Sequence, residues 1–206
     1  MIVYDFEQRT PEWDAVRELK FTATDANTLM VMGKGIETVI DEKLMDYFSN
    51  KCYSEYDKKA YTKDMQRGVE FEERARSIYE LETGEKVTQV GFVELDEHTG
   101  CSPDGLVGED GLIEIKNHSN PVFFKLMQDK KIDKKYLDQM QFQMFVTGRK
   151  WCDYFGFNPN YDPCYVKIRV NADPEVFQNI RDGLAHAVPI LLKRKQQLSK
   201  LFKKGE

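Results

Sequence analysis

The spacing of apolar residues predicts helices along much of the chain. Over residues 67–83, apolar side chains recur at helical intervals, and Gly84 is a typical residue for ending such a helix. The face expected to enter the core consists of Phe71, Ala75, Ile78 and Leu81. Further helices are predicted over 10–17, 24–33, 36–48, 134–147 and 174–201. Pro189 is expected to kink or divide the last of them, because proline lacks the N–H that a helix needs.

Short apolar segments between these helices predict β-strands. Their ranges are 88–95, 101–116 as a hairpin, 151–157 and 165–170. Because helices precede, interrupt and follow these strands, we expect an α/β fold in which helices flank a central mixed β-sheet. The 206 residues contain no internal repeat or linker, so residues 1–206 are expected to form a single domain.

Composition narrows the class of protein. The hydrophobic fraction of 41% and the charged fraction of 32% are typical of a folded globular protein. Neither an apolar run of about 18 residues nor a signal-peptide pattern occurs, so we expect no membrane association and a cytoplasmic location. The cysteines form no C-x-x-C pair, so neither a zinc site nor a disulfide framework is expected. They are Cys52, Cys101, Cys152 and Cys164.

Two basic runs contrast with the net charge of −5. They consist of Lys125, Lys130, Lys131, Lys134 and Lys135, and of Lys193, Arg194, Lys195, Lys200, Lys203 and Lys204. One interpretation of each run is a solvated face. The other is a surface that contacts DNA, because nucleic-acid binding depends on the local field and not on net charge.

A short motif in the middle of the chain carries the candidate chemistry. A Pro-Asp-Gly turn contains Asp104, and Glu114 and Lys116 follow in an apolar strand. Because side chains alternate along a strand, Glu114 and Lys116 share one face, while Ile113 and Ile115 anchor the other in the core. The carboxylate and the ammonium are expected at the surface of the sheet, close to Asp104 if the two segments form a hairpin. Such a group suits a divalent metal ion and a nucleophilic water.

Either half of this motif is common by itself, as a turn or as a cross-strand ion pair. Together, in this order, the two halves resemble the PD-(D/E)xK nuclease superfamily. The chain is further similar to the phage lambda exonuclease-like recombination exonucleases over roughly residues 8–170. The segments that carry the resemblance are 13–24, 67–84, 102–116 and 136–147. The resemblance implies a restriction-endonuclease-like core.

Asp104 and Glu114 are the candidate metal ligands, with the main-chain carbonyl of Ile115 as a third oxygen. Mg²⁺ prefers such a sparse site of carboxylates and water, and Mn²⁺ is a plausible substitute. A bound metal should lower the pKa of Lys116. Lys116 could then orient or deprotonate the attacking water, or stabilise the transition state, and the sequence does not choose among these roles.

Two further residues, Glu72 and Gln139, become catalytic candidates by resemblance, and Tyr136 is a candidate for substrate binding. Glu72 matches a Glu-x-x-Ala-Arg pattern of the family and would approach the metal, although it could equally pair with Arg76 at i+4. Gln139 matches a family glutamine, and Tyr136 on the same helix face is a possible substrate contact. Gln143, also on this face, is interpreted as part of a polar helix surface.

Arg17 and Thr24 form a second candidate site. In the family that the chain resembles, an arginine and a hydroxyl at these positions hold the 5′-terminal phosphate of the DNA. A guanidinium binds phosphate through two hydrogen bonds, and helix starts favour anions. The alternative is an arginine in a surface ion pair and a threonine that only caps a helix. Trp13 is expected in the core, and the alternative is that it stacks on a base.

The resemblance implies a Mg²⁺-dependent 5′→3′ exonuclease on double-stranded DNA that leaves a 3′ overhang for recombination. It also implies a ring-shaped homotrimer that works with a single-strand annealing protein. An endonuclease or junction-cleaving enzyme with the same core residues is an alternative, and a non-catalytic DNA-binding module is another. The iron–sulfur branch of the family is not expected, because it needs clustered cysteines near the C-terminus.

Overall fold

The computed structural model describes residues 1–49 and 63–202, and for 63–70 only the backbone. Cys52, Lys203 and Lys204 therefore lie outside the described residues. In chain order the elements are β1 (Ile2–Tyr4), α1 (Pro11–Arg17), a 3-10 turn (Ala23–Asp25), α2 (Ala26–Val31), α3 (Gly35–Phe48), α4 (Lys63–Thr83), β2 (Val87–Thr88), β3 (Phe92–Asp96), β4 (Thr99–Cys101), β5 (Gly105–Val107), β6 (Gly111–Asn117), α5 (Asn120–Asp129), α6 (Lys134–Thr147), β7 (Trp151–Phe157), β8 (Tyr165–Asn171) and α7 (Pro174–Leu198).

The strands form two sheets. The larger sheet has the order β2-β5-β6-β7-β8, and the smaller one has the order β1-β3-β4. Within the larger sheet β6 and β7 are parallel, whereas the other neighbouring strands are antiparallel. The predicted mixed sheet with flanking helices is thereby confirmed.

Different helices pack against the two faces of strand β6. Ile113 and Ile115 pack with Ala75 and Tyr79 of α4. On the other face, Leu112 packs among methionines of α6. Because side chains alternate, the same face carries Glu114 and Lys116. The motif strand therefore lies between α4 and α6.

The predicted helices are confirmed, with two corrections. Leu81 is wrong as a core residue, since it is 82% exposed. Successive helical residues are about 100° apart, so Leu81 and Tyr79 point in very different directions. Tyr79 is the residue that is fully buried. Pro189 does not divide the last helix, which continues to Leu198. Because proline has no N–H, the carbonyl of Ala185 lacks its usual helical donor. Both Pro189 and Ala185 are exposed, so water can donate to that carbonyl instead.

The predicted strands occur at the expected positions in the chain, but some of them pair with other strands than expected. The range predicted over 88–95 contains β2 and β3, which belong to different sheets. The predicted hairpin is formed by β5 and β6, while β4 pairs with β3. Strand β1 and helix α5 were not predicted. Cys101, Cys152 and Cys164 are free thiols, and no helix in the described ranges is long and apolar enough to cross a membrane.

Candidate active site

Asp104 lies directly before the first residue of β5, at the open end of the β5–β6 hairpin. Its Oδ2 accepts a hydrogen bond of 2.7 Å from the backbone N–H of Ile115. In a strand, the N–H and the C=O of one residue point to the same edge. The carbonyl of Ile115 therefore also faces Asp104, beyond the end of β5. The predicted proximity of Asp104 to the motif strand is confirmed.

Glu114 is held from two sides. Its Oε1 lies 2.5 Å from the Nζ of Lys116, and its Oε2 accepts a 2.7 Å hydrogen bond from the Nε2 of Gln143. Only 3% of Glu114 is exposed, so the prediction that this carboxylate lies at the surface of the sheet is wrong. Helix α6 covers this face of β6 and brings Gln143 over it.

The interpretation of Gln143 as a solvated polar residue is also wrong. Gln143 is 3% exposed and its amide contacts the central carboxylate of the site. Its Oε1 is buried and has no hydrogen-bond partner among the described residues. A buried polar atom without a partner calls for an explanation, and a bound water or ion at the site would supply one.

Burial and crowded carboxylates dominate the electrostatics of the site. Burial raises the pKa of Asp104 to about 7, together with the negative charges of Glu114 and Glu72 and against the opposing effect of Lys116. Burial acts to lower the pKa of Lys116, but Glu114 and Asp104 outweigh it, so the pKa is raised. Without a metal ion, Lys116 is therefore a charged ammonium.

The described residues contain no group of three or more His, Cys, Asp or Glu side chains arranged to hold a metal ion. A site here would instead combine two carboxylates, the Ile115 carbonyl and water. These are hard oxygen donors, and Mg²⁺ keeps several waters in most protein sites. The raised pKa of Asp104 also indicates negative charge that a divalent cation would stabilise.

Glu72 lies near the site and is paired with arginine. Its Oε1 is 3.0 Å from the NH2 of Arg76, as the alternative reading expected, and its Oε2 is 3.5 Å from the NH2 of Arg9. It also lines a cleft of about 340 Å³ together with Asp104. Both the ion pair and the proximity to Asp104 are therefore present.

Tyr136 and Gln139 lie on the face of α6 that carries Gln143. The Nζ of Lys116 is 5.3 Å from the centre of the Tyr136 ring. Gln139 is half-buried, and no hydrogen bond to its side chain is found in the described part of the chain. Gln139 lies one turn before Gln143 on the helix. This face of α6 therefore passes from Tyr136, near Lys116, to Gln143, which contacts Glu114.

Arg17 and Thr24 line the same cleft, which has a volume of about 530 Å³. Thr22, not Thr24, caps the 3-10 turn, which leaves the hydroxyl of Thr24 in the cleft with a 3.1 Å hydrogen bond to Thr22. Burial lowers the pKa of Arg17, although Asp25 and Asp14 oppose this effect. Among residues 1–49 and 71–202, no carboxylate lies within ion-pair distance of Arg17.

Trp13 connects this cleft to the motif and is only partly buried, so its predicted place in the core is wrong. The guanidinium of Arg17 lies 3.8 Å from the centre of the Trp13 ring. The indole N–H of Trp13 donates to the Oγ of Ser102 at 2.8 Å. Ser102 is two residues before Asp104, so a single chain of contacts runs from Arg17 to the candidate metal ligands.

Known proteins resemble this chain in both sequence and fold. Residues 12–150 match the model of the YqaJ-like viral recombinase domain. An alkaline exonuclease from Laribacter hongkongensis is 32% identical, with a TM-score of 0.75 over 93% of this chain and 100% of that chain. Its complex with dAMP has the same identity and coverage and a TM-score of 0.76.

A phage related exonuclease from Haemophilus somnus shares the fold at 17% identity, with a TM-score of 0.60 over 91% of this chain and 99% of that chain. The comparison with curated proteins gave no match. The family model covers well over half of the chain, and the fold agrees over nearly all of it. The chain therefore belongs to the YqaJ-like viral recombinase domain family, and its predicted resemblance to phage-type recombination exonucleases is confirmed.

Proposed function

We propose that this protein is a Mg²⁺-dependent 5′→3′ exonuclease that digests one strand of linear double-stranded DNA from 5′-phosphorylated ends. It would leave a 3′ single-stranded overhang for recombination by strand annealing. The observation that carries the proposal is the chain of contacts from Arg17 through Trp13 and Ser102 to the turn at Asp104. The exonuclease activity named for the relatives from Laribacter hongkongensis and Haemophilus somnus supports the reaction class.

The carboxylates and the backbone suit a magnesium site. Asp104, Glu114 and the carbonyl of Ile115 would hold the ion, and Glu72 would approach it directly or through water. Mn²⁺ should substitute, because it accepts the same oxygen ligands. When bound, the ion would lower the pKa of a water molecule and balance charge on the scissile phosphate.

Lys116 would act on the water or the phosphate. Its ammonium is held beside Glu114 and is charged in the metal-free protein. In that form it can donate to an attacking water or to a phosphate oxygen, which favours an orienting or charge-stabilising role. Gln139 and Tyr136, on the neighbouring helix face, would contact the substrate beside it.

A cleft that contains Arg17 and is connected to the candidate metal ligands would account for cleavage from an end. Arg17 is largely buried there, without a carboxylate partner in the described residues, so a dianionic terminal phosphate would be a strong ligand. The Thr24 hydroxyl would add one hydrogen bond. An endonuclease has no comparable use for this cleft, because its substrate lacks a terminal phosphate.

We further propose that three copies form a ring around the duplex and that a single-strand annealing protein receives the product. A ring would reconcile the net charge of −5 with DNA binding by placing basic side chains in a channel. Candidates for the lining are the exposed lysines at 125, 130, 131, 134 and 135. Light scattering in physiological salt tests the assembly, and a monomer that digests long tracts per binding event would contradict the ring.

The terminal-phosphate site is tested by comparing duplexes that carry a 5′-phosphate with duplexes that carry a 5′-hydroxyl. The wild type should digest the phosphorylated duplex much faster, and Arg17→Ala should lose most of that difference. Arg181→Ala serves as a control, because Arg181 is exposed on α7 and contacts Gln178 and Phe145. An Arg17→Ala protein that still prefers phosphorylated ends would refute this site but not the nuclease.

A further inference from the structure

Residues 5–9, here called the N-terminal strap, form one wall of the cleft that Glu72 and Asp104 line. Among the described residues that line this cleft, Arg9 is the only cationic side chain. Half of the Arg9 side chain, 51%, is exposed. The strap therefore places a solvent-accessible guanidinium beside the candidate metal ligands.

The strap is anchored to the turn that carries Asp104. The Nε2 of Gln8 donates to the carbonyl oxygens of Val90 and Pro103, at 3.2 Å in each case. A Cβ on Gly91 would lie 2.1 Å from the carbonyl oxygen of Phe6, so glycine allows the strap to lie directly against the smaller sheet. The backbone of Arg9 is thus held close to the turn that carries Asp104 by Gln8, its neighbour in the chain.

The backbone of Arg9 is in the left-handed region, with φ of 69°. This conformation is unfavourable for a residue with a Cβ, and the neighbouring contacts maintain it. On the following residue, the hydroxyl of Thr10 donates to the carbonyl of Glu7 at 2.9 Å and caps α1. Glycine would adopt this backbone conformation more easily than arginine. The backbone therefore gives no reason for an arginine at this position.

Arg9 is not needed to neutralise Glu72. The Oε1 of Glu72 already has a 3.0 Å ion pair with Arg76, which is buried and also within hydrogen-bonding distance of the Gln89 amide. Arg9 is farther away, at 3.5 Å, and half exposed. An exposed ion pair of this length contributes little, so a better anion can replace Glu72 as the partner of Arg9.

Acidic side chains line this cleft and affect which ligands it can bind. Asp5 and Glu7 of the strap line it with Glu72 and Asp104, so the cleft of the metal-free protein is acidic overall. A divalent cation on Asp104 would balance part of this charge. A DNA phosphate brought to that cation would then lie in the cleft that the half-exposed Arg9 guanidinium lines.

We propose that Arg9 binds a backbone phosphate of the strand being digested, next to the scissile phosphate and on the side of the retained nucleotides. The inference rests on the proposed function. The large cleft at Arg17 would hold the 5′-terminal phosphate, and the strap cleft, which shares no lining residue with it, would hold the following part of the strand. Arg9 is then a substrate-positioning residue.

The experiment measures binding of a short 5′-phosphorylated duplex in Ca²⁺, over a range of salt concentrations, together with steady-state digestion in Mg²⁺. Arg9→Gly removes the guanidinium and suits the left-handed backbone, and Arg9→Lys keeps the charge. Arg181→Ala is the matched control. Thermal unfolding of each variant shows that it is folded, and Arg9→Gly should unfold at or above the temperature of the wild type.

We expect Arg9→Gly to weaken duplex binding about tenfold and to reduce the slope of log K against log salt by about 0.9, the value of one lost phosphate contact. The KM for duplex should rise similarly, with a smaller change in kcat. Arg9→Lys should keep the salt slope, and Arg181→Ala should match the wild type.

Duplex affinity and salt slope that are unchanged in a folded Arg9→Gly protein would overturn the inference. So would a loss confined to kcat and to Mg²⁺ affinity, because Arg9 would then serve Glu72 and not the DNA. A wild type that neither binds nor digests duplex DNA would overturn the proposed function itself, and the assignment of Arg9 with it.

Discussion

Replacing Gln143 with leucine removes the amide that holds the buried carboxylate of Glu114. The Nε2 of Gln143 donates to Oε2 of Glu114 at 2.7 Å, and a hydrogen bond to a charged group contributes about 1.5–3 kcal/mol. The same substitution also removes the buried Oε1 of Gln143, which has no partner in the described residues and costs about 1–3 kcal/mol. Because Oε2 of Glu114 is then left buried without this donor, the loss exceeds the gain, and the free energy of unfolding should fall by about 1–2 kcal/mol.

Metal binding should weaken as well, which a purely structural role of Gln143 would not require. A residue that orients a metal ligand typically contributes about 10–100-fold in affinity or activity, so Gln143→Leu should weaken Mg²⁺ binding by this factor. Isothermal titration with Mg²⁺ measures the affinity, and digestion of linear duplex at saturating Mg²⁺ measures the residual activity.

Gln141→Leu is the matched control, two residues away on the same helix. Gln141 is also buried, but it donates to the carbonyl of Asn171 and accepts from the N–H of Asp173, away from the site. It should lower the free energy of unfolding and leave Mg²⁺ affinity unchanged. If Gln143→Leu and Gln141→Leu alter stability and Mg²⁺ affinity alike, Gln143 does not position Glu114 for a metal.

Three other substitutions address the site and its surroundings. Asp104→Asn should abolish digestion and the stabilisation by Mg²⁺ in thermal unfolding, while stability in EDTA should not fall, because a buried carboxylate near Glu114 and Glu72 has been removed; normal digestion by the folded variant would refute Asp104 as a ligand. Lys116→Ala should lower kcat by about 10²–10⁴-fold while Mg²⁺ still binds, and a collapse of Mg²⁺ affinity with unchanged kcat would make Lys116 structural. Burial lowers the pKa of His118 to about 4, with smaller contributions from Lys116 and Lys135, so the unfolded chain takes up this proton first as the pH falls. Stability should therefore fall by about 1–2 kcal/mol between pH 6.5 and 4, after allowance for partial solvent screening, and a His118→Gln protein with an equal acid loss would contradict this origin.

The alternation of residues 111–117 was enough to predict the strand that carries the motif. A period of two depends only on the local backbone, so Ile113 and Ile115 could be assigned to one face and Glu114 and Lys116 to the other. The turn residues at Asp104 placed the hairpin in the same way. These features required no knowledge of how distant segments pack.

The burial of Glu114 and Gln143 depends on tertiary packing and was predicted wrongly. In the second half of α6, Gln143 is flanked by the apolar residues Met140, Phe142, Met144 and Val146. A helix that is apolar all round is buried, and this pattern could have indicated a buried glutamine. The partner of its amide could not be deduced, because Glu114 is 29 residues away in sequence.

Strand β1 and the N-terminal strap that follows it left no periodic signal. Strand β1 has three residues, too few for a pattern of alternation, and it pairs with β3 some 90 positions later in the chain. The ion pair of Arg9 with Glu72 and the hydrogen bonds of Gln8 likewise join residues far apart in the chain. Long-range strand pairing of this kind is set by the packing of the whole domain.

Digestion of a long duplex labelled at one terminus tests the central claim most directly. Linear duplex with a 5′-terminal label, linear duplex with a 3′-terminal label and covalently closed circular duplex are each incubated with Mg²⁺ and with EDTA. We predict that Mg²⁺ releases the 5′ label at once as mononucleotide, retains the 3′ label on a long single strand and leaves the circle intact, and that EDTA stops all release. Cleavage of the circle, or release of the 3′ label first, would contradict a 5′→3′ exonuclease.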